Sequence, residues 1–467
     1  MTKQYDVVVL GGGTGGYVAA IRAADYGLSV AIVEKEKLGG TCLHKGCIPT
    51  KSLLKSVEML SEAKKLSQYG VFTNDITFDY SKMLQRKNDI VDTLHRGVNS
   101  LVSKASIDVY TGTGTILGPS IFSPLAGTIS VTNGEDEPEM LLPNSIIIAT
   151  GTRPKALPFL PFDGQRVLNS DNLLQLHELP SSIMIVGGGV IGVEWSSILS
   201  NLGVTVTLLE AGETILPTED VDIQQEMTKL LKATGVNIIM NAEVNNQTLK
   251  LENGVTFFGK EQISAEICLI AIGREACTNG IGIENTNIEL ENGFIQVNEH
   301  YQTKEKHMFA IGDCIGGLQL AHVASSEGLA AVEYMVNKNN TVIESHLVPK
   351  CIYSSPQIAS VGLTENAAKE RYGEILVKKV PFSSIGKAHC NGSTIGFMKV
   401  ITEKVYGEII GIHAIGKDVT ELISEGALAM TMRAVPEEIS ETVHPHPTLS
   451  EIYLEASFAL QQKGIHL

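Results

Sequence analysis

The stretch that decides the fold is residues 7–16, VVVLGGGTGG, in which an apolar run ends in a dense glycine turn. Residues 5–10 predict a buried parallel strand, residues 17–27 a helix and residues 29–34 a second strand, which together form a βαβ unit. The turn carries the GxGxxG spacing, which permits close approach of a pyrophosphate and close packing of helix on strand. Its glycines are Gly11, Gly13 and Gly16. This context favours a dinucleotide site over a coincidental glycine turn.

The same arrangement returns in the middle of the chain. Residues 182–186 predict a strand, residues 193–201 a helix and residues 204–210 a further strand. The turn between strand and helix again has the GxGxxG spacing, with Gly187, Gly189 and Gly192. The chain is therefore predicted to hold two dinucleotide-binding folds.

A carboxylate ends the second strand of each unit. Glu34 and Glu210 each stand about 20 residues after their glycine turn, where an acid accepts hydrogen bonds from ribose hydroxyls. Glu210 would repel a 2′-phosphate, so NAD is favoured over NADP at the second site. A solvated residue at the end of a strand would look the same in sequence.

Composition limits the classes of function. A chain of 467 residues divides into several domains of about 100–200 residues. The net charge of −16 would repel a polyphosphate backbone, which argues against a nucleic-acid partner. No apolar run reaches the roughly 20 residues of a membrane span, and the first residues show no signal-peptide pattern, so the cytoplasm is the expected compartment.

Two of the seven cysteines are close together, in GGTCLHKGCIPTK at residues 39–51. If Cys47 opens a helix, about one turn separates its sulfur from that of Cys42, and an easily reduced disulfide becomes possible. Helix-end dipoles would also lower a thiolate pKa. A zinc site is the competing chemistry, but it normally takes four ligands and no second CxxC or HxxxH lies nearby, so no metal is expected. Two ordinary buried cysteines are the plain alternative.

The segment HPHPTLSE, residues 444–451, offers an acid–base pair. Glu451 falls in the first turn of a predicted helix, where its carboxylate could bind one imidazole nitrogen of His446 while the other faces a substrate. Such a pair can deprotonate a dithiol near neutral pH. A histidine between prolines is also a common loop residue, and His444 and His322 are lower-ranked candidates for the base.

Two longer regions complete the prediction. Residues 56–105 are expected to be helical from their apolar spacing. From about residue 347 the chain changes to long alternating strands with helices, which is typical of an α+β domain without a nucleotide turn. A role in pairing two subunits would suit that domain.

Motifs along the whole chain match a known family in the family's order. They are VVVLGGGTGGYVAA, GGTCLHKGCIPTK, IIIATG, VGGGVIGVE, AIGR, MFAIGDCIGG and HPHPTLSE. On these motifs the chain resembles the pyridine nucleotide-disulfide oxidoreductases, and within them the dihydrolipoamide dehydrogenase branch. The resemblance implies an α/β fold with two Rossmann-like domains, one for FAD and one for NAD, and a C-terminal α+β dimerisation domain. The implied boundaries are 1–151 (FAD domain), 152–277 (NAD domain), 278–346 (central domain completing the FAD site) and 347–467 (interface domain).

The resemblance also assigns catalytic roles. Cys42 would form a mixed disulfide with the substrate, and Cys47 would be the thiol that contacts the flavin. His446, oriented by Glu451, would be the base and would come from the other subunit of a homodimer.

Cofactor contacts follow from the same resemblance. Lys51 would lie near the flavin and pair with Glu194, and Asp313 would bind hydroxyls of the flavin side chain. The other expected FAD contacts are Gly11, Gly13, Gly16, Glu34, Thr41, Gly114, Thr150, Gly151 and Ala321. The expected NAD contacts are Gly187, Gly189, Gly192, Glu210 and Gly273.

Departures from the family pattern bear on the partner. His44 stands where asparagine is usual and Leu318 where proline is usual, while CLHKGCIP, GGLQLAHVAS and LVPKCIYSSP are similar to the form that serves branched-chain 2-oxo acid dehydrogenase complexes. The expected partner is then a lipoyl-bearing acyltransferase subunit. The alternatives are an NADH-dependent reductase of another low-molecular-weight disulfide and, more distantly, a non-catalytic FAD/NAD redox sensor.

Overall fold

The structure is a computed structural model and describes residues 3–119, 127–252, 254–339 and 342–466. Its packing divides the chain into two compact units. The first draws on Met1–Ser52, Ser81–Lys155 and Gly273–Ile343. The second draws on Leu53–Tyr80, Ala156–Ile272 and Glu344–Leu467.

The first third of the chain alternates strands and helices around the first glycine turn. Its elements are β1 (Lys3–Leu10), α1 (Thr14–Asp25), β2 (Val30–Glu34), α2 (Gly40–His44), α3 (Cys47–Ala63), α4 (Tyr80–Lys104), β3 (Asp108–Thr111), β4 (Thr113–Ile116), β5 (Ile129–Thr132), β6 (Glu139–Ile148) and β7 (Thr152–Pro154).

The middle of the chain repeats the alternation around the second glycine turn and adds short antiparallel strands. Its elements are β8 (Val167–Leu168), α5 (Ser170–Leu173), β9 (Ser182–Val186), α6 (Val190–Asn201), β10 (Thr205–Leu209), α7 (Val221–Ala233), β11 (Asn237–Ile239), β12 (Leu249–Glu252), β13 (Gly254–Phe258), β14 (Gln262–Ala265), β15 (Ile267–Ile270), β16 (Arg274–Ala276), β17 (Leu290–Glu291), β18 (Phe294–Ile295), β19 (Met308–Ala310) and α8 (Ala321–Asn337).

The C-terminal part carries longer strands. Its elements are β20 (Lys350–Ile352), β21 (Gln357–Gly362), α9 (Glu365–Tyr372), β22 (Ile375–Pro381), α10 (Gly386–Cys390), β23 (Phe397–Glu403), β24 (Ile409–Gly416), α11 (Val419–Thr431), α12 (Pro436–Glu441) and α13 (Glu451–Leu460). Short 3₁₀ turns occur at Leu66–Tyr69, Ile283–Asn285, Gly312–Ile315, Ser345–Leu347 and Phe382–Ser384.

The sheet of the first unit runs in the order β3-β2-β1-β6-β5-β4, with β19 also paired to β6. β1 is parallel to β2 and to β6, and α1 makes the crossover from β1 to β2. The apolar run of β1 is buried on both faces, because Val7 and Val9 pack into one core cluster and Val8 and Leu10 into another. A strand covered on both faces needs such a continuous apolar run, so the sequence pattern and the packing agree.

Among the described residues, the second unit holds a parallel sheet and two antiparallel ones, the smaller of which pairs β12, β13 and β14. The parallel sheet has the order β11-β10-β9-β15-β8, and α6 makes the crossover from β9 to β10. The larger antiparallel sheet has the order β20-β21-β24-β23-β22. Every residue of β23 and β24 is buried, and side chains of α11, α12 and α13 pack into the same core. This is the α+β domain that the sequence predicts.

The prediction that residues 56–105 are helical throughout is wrong. Residues 56–105 fall in α3 and α4, which are separated by a 3₁₀ turn and an irregular stretch. Gly70 ends that turn with φ +73°, and the following sequence, VFTNDITFD, places turn-forming Asn and Asp residues between two apolar-spaced segments. Across the described part of the chain, no helix combines the length and apolarity that a membrane crossing needs.

Candidate active site

The first glycine turn joins β1 to α1 and leaves no room for a side chain at Gly11 or Gly16. Gly11 has φ +102°, and a Cβ there would lie 2.3 Å from the carbonyl oxygen of Ala149. A Cβ at Gly16 would lie 1.9 Å from the carbonyl oxygen of Gly11. Gly13 precedes α1 without a capping side chain, so the first N–H groups of α1 can bind an anion. The turn therefore fits the pyrophosphate of FAD.

The second glycine turn, between β9 and α6, repeats this geometry. A Cβ at Gly187 would lie 2.3 Å from the carbonyl oxygen of Ala271, and one at Gly192 would lie 1.9 Å from that of Gly187. Gly189 precedes α6 without a capping side chain, and a Cβ there would have open space around it. The second turn fits the pyrophosphate of NAD for the same physical reason.

The acid that ends β2 locks the first glycine turn. Glu34 accepts the N–H of Gly12 on Oε2 at 2.7 Å and the N–H of Glu36 on Oε1 at 2.8 Å. Both oxygens thus hold the backbone in addition to any contact with a ribose.

Glu210, directly after β10, makes the matching pair of bonds. It accepts the N–H of Gly188 on Oε2 and the N–H of Gly212 on Oε1, each at 2.6 Å. The sequence predicts the place of both acids but not this second role, because the bonds depend on how the strand end folds back over the turn.

Cys42 and Cys47 are brought together, as the sequence predicts. Cys42 lies in α2, Cys47 is the first residue of α3, and both are free thiols. A hydrogen bond to Cys47, together with burial, raises the pKa of the Cys42 thiol, while Lys51 and the Thr14 hydroxyl act in the opposite direction. Cys47 is the first residue of α3, where the helix dipole favours a negative charge.

The cysteine segment is tied to the first glycine turn. The N–H of Gly39, just before α2, donates to the carbonyl oxygen of Gly12 at 2.8 Å, and Gly39 also forms a parallel β-bridge with Gly13. Gly39 and Gly40 have φ of +108° and +59°, and a Cβ at Gly40 would lie 2.6 Å from Gly13 Cα. These contacts hold the segment that leads into Cys42 and Cys47 against the glycine turn that fits FAD.

His44, the departure noted between the cysteines, is part of a histidine pair. His44 Nε2 and His95 Nδ1 each lie within hydrogen-bonding distance of the Leu38 carbonyl oxygen, at 2.9 and 3.0 Å, and their rings are 5.1 Å apart. Asn99 bonds the other nitrogen of His95 at 3.0 Å. Burial lowers the pKa of His44, which favours a neutral ring that donates to Leu38. Nothing in the sequence signals His95, which comes from α4.

Asp313 lies in the 3₁₀ turn before α8. Its Oδ2 accepts the hydroxyl of Thr152 at 2.7 Å. The neighbouring N–H of Gly312 donates to Glu327 of α8 at 2.6 Å. Burial raises the pKa of Glu327 to about 7, the Gly312 bond opposes this, and the charge of Asp313 adds to it. Thr152 and Glu327 are neighbours of the predicted site that sequence reasoning missed.

The remaining predicted FAD contacts all belong to the first unit. Thr41 is in α2, Gly114 in β4, Thr150 and Gly151 follow β6, and Ala321 begins α8. Gly114 approaches the end of β1 closely, since a Cβ there would lie 2.7 Å from Leu10 Cδ2. Gly273, predicted for NAD, belongs to this unit too, whereas the other predicted NAD contacts belong to the second unit.

Lys51 and Glu194 belong to different units. Lys51 lies in α3, one turn beyond Cys47. Glu194 is buried in α6 and accepts the N–H of Tyr353 at 2.9 Å. Their pairing stays a prediction.

His446 and Glu451 meet in the second unit. His446 Nδ1 lies 2.8 Å from Glu451 Oε1, and the histidine side chain is 76% exposed. Burial would raise the pKa of Glu451, but hydrogen bonds from His446 and the N–H of Thr448 bring it below its usual value. His444 also contacts a carboxylate, that of Glu425 at 2.8 Å, but its side chain is only 4% exposed. The geometry thus favours His446 as the histidine open to a substrate.

Within residues 3–119, 127–252, 254–339 and 342–466, no group of three or more His, Cys, Asp or Glu side chains is arranged to hold a metal ion.

Two family models match the chain. The one described as pyridine nucleotide-disulphide oxidoreductase covers residues 5–328, and the dimerisation domain of the same family covers residues 348–457. The chain therefore belongs to the pyridine nucleotide-disulphide oxidoreductase family.

Similar proteins narrow this class to the dihydrolipoyl dehydrogenases, which use FAD and NAD. A dihydrolipoyl dehydrogenase of Bacillus subtilis (strain 168) is 54% identical over 473 residues, which covers 100% of each chain. A second one from the same organism is 37% identical and covers 98% of this chain and 99% of its own. The predicted family and cofactors are confirmed at this level.

Solved structures share the fold. LpdA from Mycobacterium tuberculosis superimposes with a TM-score of 0.91 at 25% identity, covering 98% of this chain and 99% of its own. The HOCl-induced flavoprotein disulfide reductase RclA from Escherichia coli, in a Cu(II) complex, gives 0.87 at 28% identity with the same coverage. The predicted architecture is confirmed.

Proposed function

We propose that the chain oxidises protein-bound dihydrolipoamide to lipoamide and reduces NAD⁺, as a component of a 2-oxo acid dehydrogenase complex. The observation that carries this proposal is the thiol pair of Cys42 and Cys47, hydrogen-bonded to each other and joined through Gly39 to the first dinucleotide turn. The 54% identity with a dihydrolipoyl dehydrogenase supports it.

In this proposal Cys42 and Cys47 alternate between a disulfide and two thiols. One thiolate of dihydrolipoamide attacks the Cys42 sulfur, the Cys42–Cys47 bond breaks, and Cys47 leaves with the electron pair. The second substrate thiolate then displaces Cys42, so lipoamide leaves oxidised and the cysteine pair has gained two electrons. The raised pKa of Cys42 supports a protonated thiol at that position. The position of Cys47 at the start of α3 favours the negative charge on the other sulfur.

His446 takes the proton of the attacking substrate thiol. Its Nδ1 is engaged by Glu451, which fixes the ring, and the exposed ring can reach a substrate. We place this base in the active site of the other subunit of a homodimer. The match of residues 348–457 to a dimerisation domain supports that arrangement.

The two glycine turns bind the two cofactors. FAD, when bound, supplies a two-electron acceptor for the cysteine pair, and NAD⁺ accepts a hydride. Gly11, Gly13, Gly16, Glu34, Thr41, Gly114, Thr150, Gly151, Asp313 and Ala321 hold FAD in this proposal, with Lys51 and Glu194 paired near the flavin. Gly187, Gly189, Gly192, Glu210 and Gly273 hold NAD.

The finer assignments are also proposals. A branched-chain complex is favoured as the setting because of CLHKGCIP, GGLQLAHVAS and LVPKCIYSSP, with its lipoyl-bearing acyltransferase subunit as the partner. The cytoplasm is the proposed compartment. The chain divides at residues 151, 277 and 346 into FAD, NAD, central and interface domains.

The substrate is tested by a steady-state assay of the purified protein with dihydrolipoamide and either NAD⁺ or NADP⁺. We expect NADH formation with a clear preference for NAD⁺, and slow turnover of glutathione and other small disulfides with NADH. Faster reduction of such a disulfide than of lipoamide would contradict the proposed substrate. Rates with lipoyl domains from branched-chain and pyruvate complexes then compare the possible partners.

The base is tested by His446→Gln. We expect the dihydrolipoamide reaction to fall by about 100-fold or more, because a general base typically contributes that much, while NADH oxidation by a quinone acceptor falls far less. His444→Gln is the matched control, since that histidine is buried and bonded to Glu425 and the Thr442 carbonyl. Equal losses in both reactions, or in both variants, would count against His446.

A further inference from the structure

Three side chains form a series of hydrogen bonds that ends at Asp313. Arg274 Nε donates to the Thr152 hydroxyl at 2.7 Å, and Arg274 Nη2 donates to the Thr152 carbonyl oxygen at 2.9 Å. The Thr152 hydroxyl donates in turn to Asp313 Oδ2 at 2.7 Å. All three residues belong to the first unit, so this geometry lies within one compact body.

The donor and acceptor groups of these three side chains fix the direction of the hydrogen bonds. An arginine can only donate and a carboxylate can only accept, whereas a hydroxyl has one proton and can do both. With Nε–H occupying its acceptor side, the single Thr152 proton must point at Asp313. Thr152 is 7% exposed, so water does not readily compete for that proton.

The pairing of β7 with β16 explains why Arg274, and not Arg153, contacts Thr152. β7 and β16 form a two-stranded antiparallel ribbon in which Arg274 pairs with Pro154 and Ala276 with Thr152. The Arg274 side chain therefore reaches back along the ribbon to Thr152. Arg153, also in the ribbon, is 59% exposed and pairs with Glu275 at 2.7 Å, which is the kind of ion pair that adds little.

We infer that Arg274 is a positioning residue of the flavin site, acting through the Thr152 hydroxyl on the Asp313 carboxylate. With Oδ2 engaged by Thr152, the carboxylate is held in one rotamer and Oδ1 is the oxygen left to accept a hydroxyl of the ligand. The inference rests on the proposed role of Asp313 in binding FAD.

The experiment measures how fast FAD leaves the holoprotein, from the fluorescence of released flavin after dilution. Thr152→Val keeps the shape of the side chain and removes the hydroxyl, and we expect release to become about tenfold faster, which corresponds to one lost charge-assisted hydrogen bond. Thr152→Ser restores the hydroxyl and should return the rate to within about twofold of wild type. A purely steric role for Thr152 would not give this rescue.

Two matched controls separate this effect from general loss of stability. Thr303→Val removes another buried hydroxyl of the same unit, one that donates to backbone carbonyls, and should leave FAD release unchanged. Arg274→Met should speed release while Arg153→Met should not. Combining Arg274→Met with Thr152→Val should give less than the product of the two separate effects, because the arginine acts through the hydroxyl.

Asp313→Asn distinguishes the two possible failures. If this variant holds FAD as tightly as wild type, the proposed role of Asp313 is wrong. If it loses FAD readily while Thr152→Val and Arg274→Met do not, Asp313 binds the flavin without help from Arg274 and the inference is overturned.

Discussion

Replacing Glu327 by glutamine should stabilise the protein, and increasingly so as the pH rises. Glu327 is 9% exposed, and burial raises the pKa of its carboxyl group to about 7. With a raised pKa, the folded protein holds the proton more tightly than the unfolded chain does. The resulting stabilisation is complete below the unfolded pKa of 4.5 and is lost as the pH rises through the folded value.

The magnitude follows from the two pKa values. A shift from 4.5 to about 7, at about 1.4 kcal/mol per unit, costs the folded state roughly 3 kcal/mol once the carboxyl is ionised in both states. Glutamine cannot ionise, and its amide oxygen can still accept the Gly312 N–H. We expect the free energy of unfolding of Glu327→Gln, relative to wild type, to rise by about 2–3 kcal/mol between about pH 5 and about pH 8.

The assay is urea unfolding of the FAD-loaded protein, followed by far-ultraviolet circular dichroism at a series of pH values. Glu333→Gln is the control, because Glu333 lies on the same helix in an exposed hydrogen bond with Tyr26. That variant should differ from wild type by a constant amount over this range. A constant difference for Glu327→Gln as well, or one that grows towards acid, would refute the reasoning.

Two further predictions concern the second unit. Lys399 is 1% exposed and contacts Asp220 at 2.8 Å. Lys399→Met should therefore cost about 3–5 kcal/mol of unfolding free energy, because it leaves a buried carboxylate unpaired. Lys379→Met, which removes an ion pair whose lysine is 49% exposed, should cost less than about 1 kcal/mol. Urea midpoints of the two variants check this, and equal costs would contradict it. Glu210→Gln replaces one acceptor oxygen by an NH₂ group that faces a backbone N–H, so the KM for NAD⁺ should rise about tenfold with little change in kcat. An unchanged KM in steady-state kinetics would show that NAD⁺ binding does not depend on the two hydrogen bonds that Glu210 accepts.

The parts of this protein that the sequence predicts well are those whose physics is local. An apolar run, a GxGxxG turn and a terminal acid lie within 30 consecutive residues, and both βαβ units form where these patterns occur. His446 and Glu451 are five residues apart, so their contact is also within reach of a sequence argument.

The parts that the sequence does not reveal depend on contacts between distant segments. Thr152 meets Asp313 across 161 residues and Arg274 across 122, and His95 meets the Leu38 carbonyl across 57. No periodicity links such positions, because their proximity comes from sheet pairing and helix packing. The raised pKa of Cys42 likewise depends on its hydrogen bond to Cys47 and on burial, which the spacing of the two cysteines in the sequence does not reveal.

The two hydrogen bonds that Glu210 accepts, from the N–H of Gly188 in the glycine turn and from the N–H of Gly212 after β10, have a consequence for altering coenzyme choice. An arginine at this position would attract the 2′-phosphate of NADP, but a guanidinium can only donate and would abandon two backbone N–H groups at once. An engineered enzyme of that kind would need a new acceptor for those groups from elsewhere in the fold. Under the proposed NAD-binding role of Glu210, a substitution that changes coenzyme preference would therefore also remove the acceptor of those two backbone N–H groups.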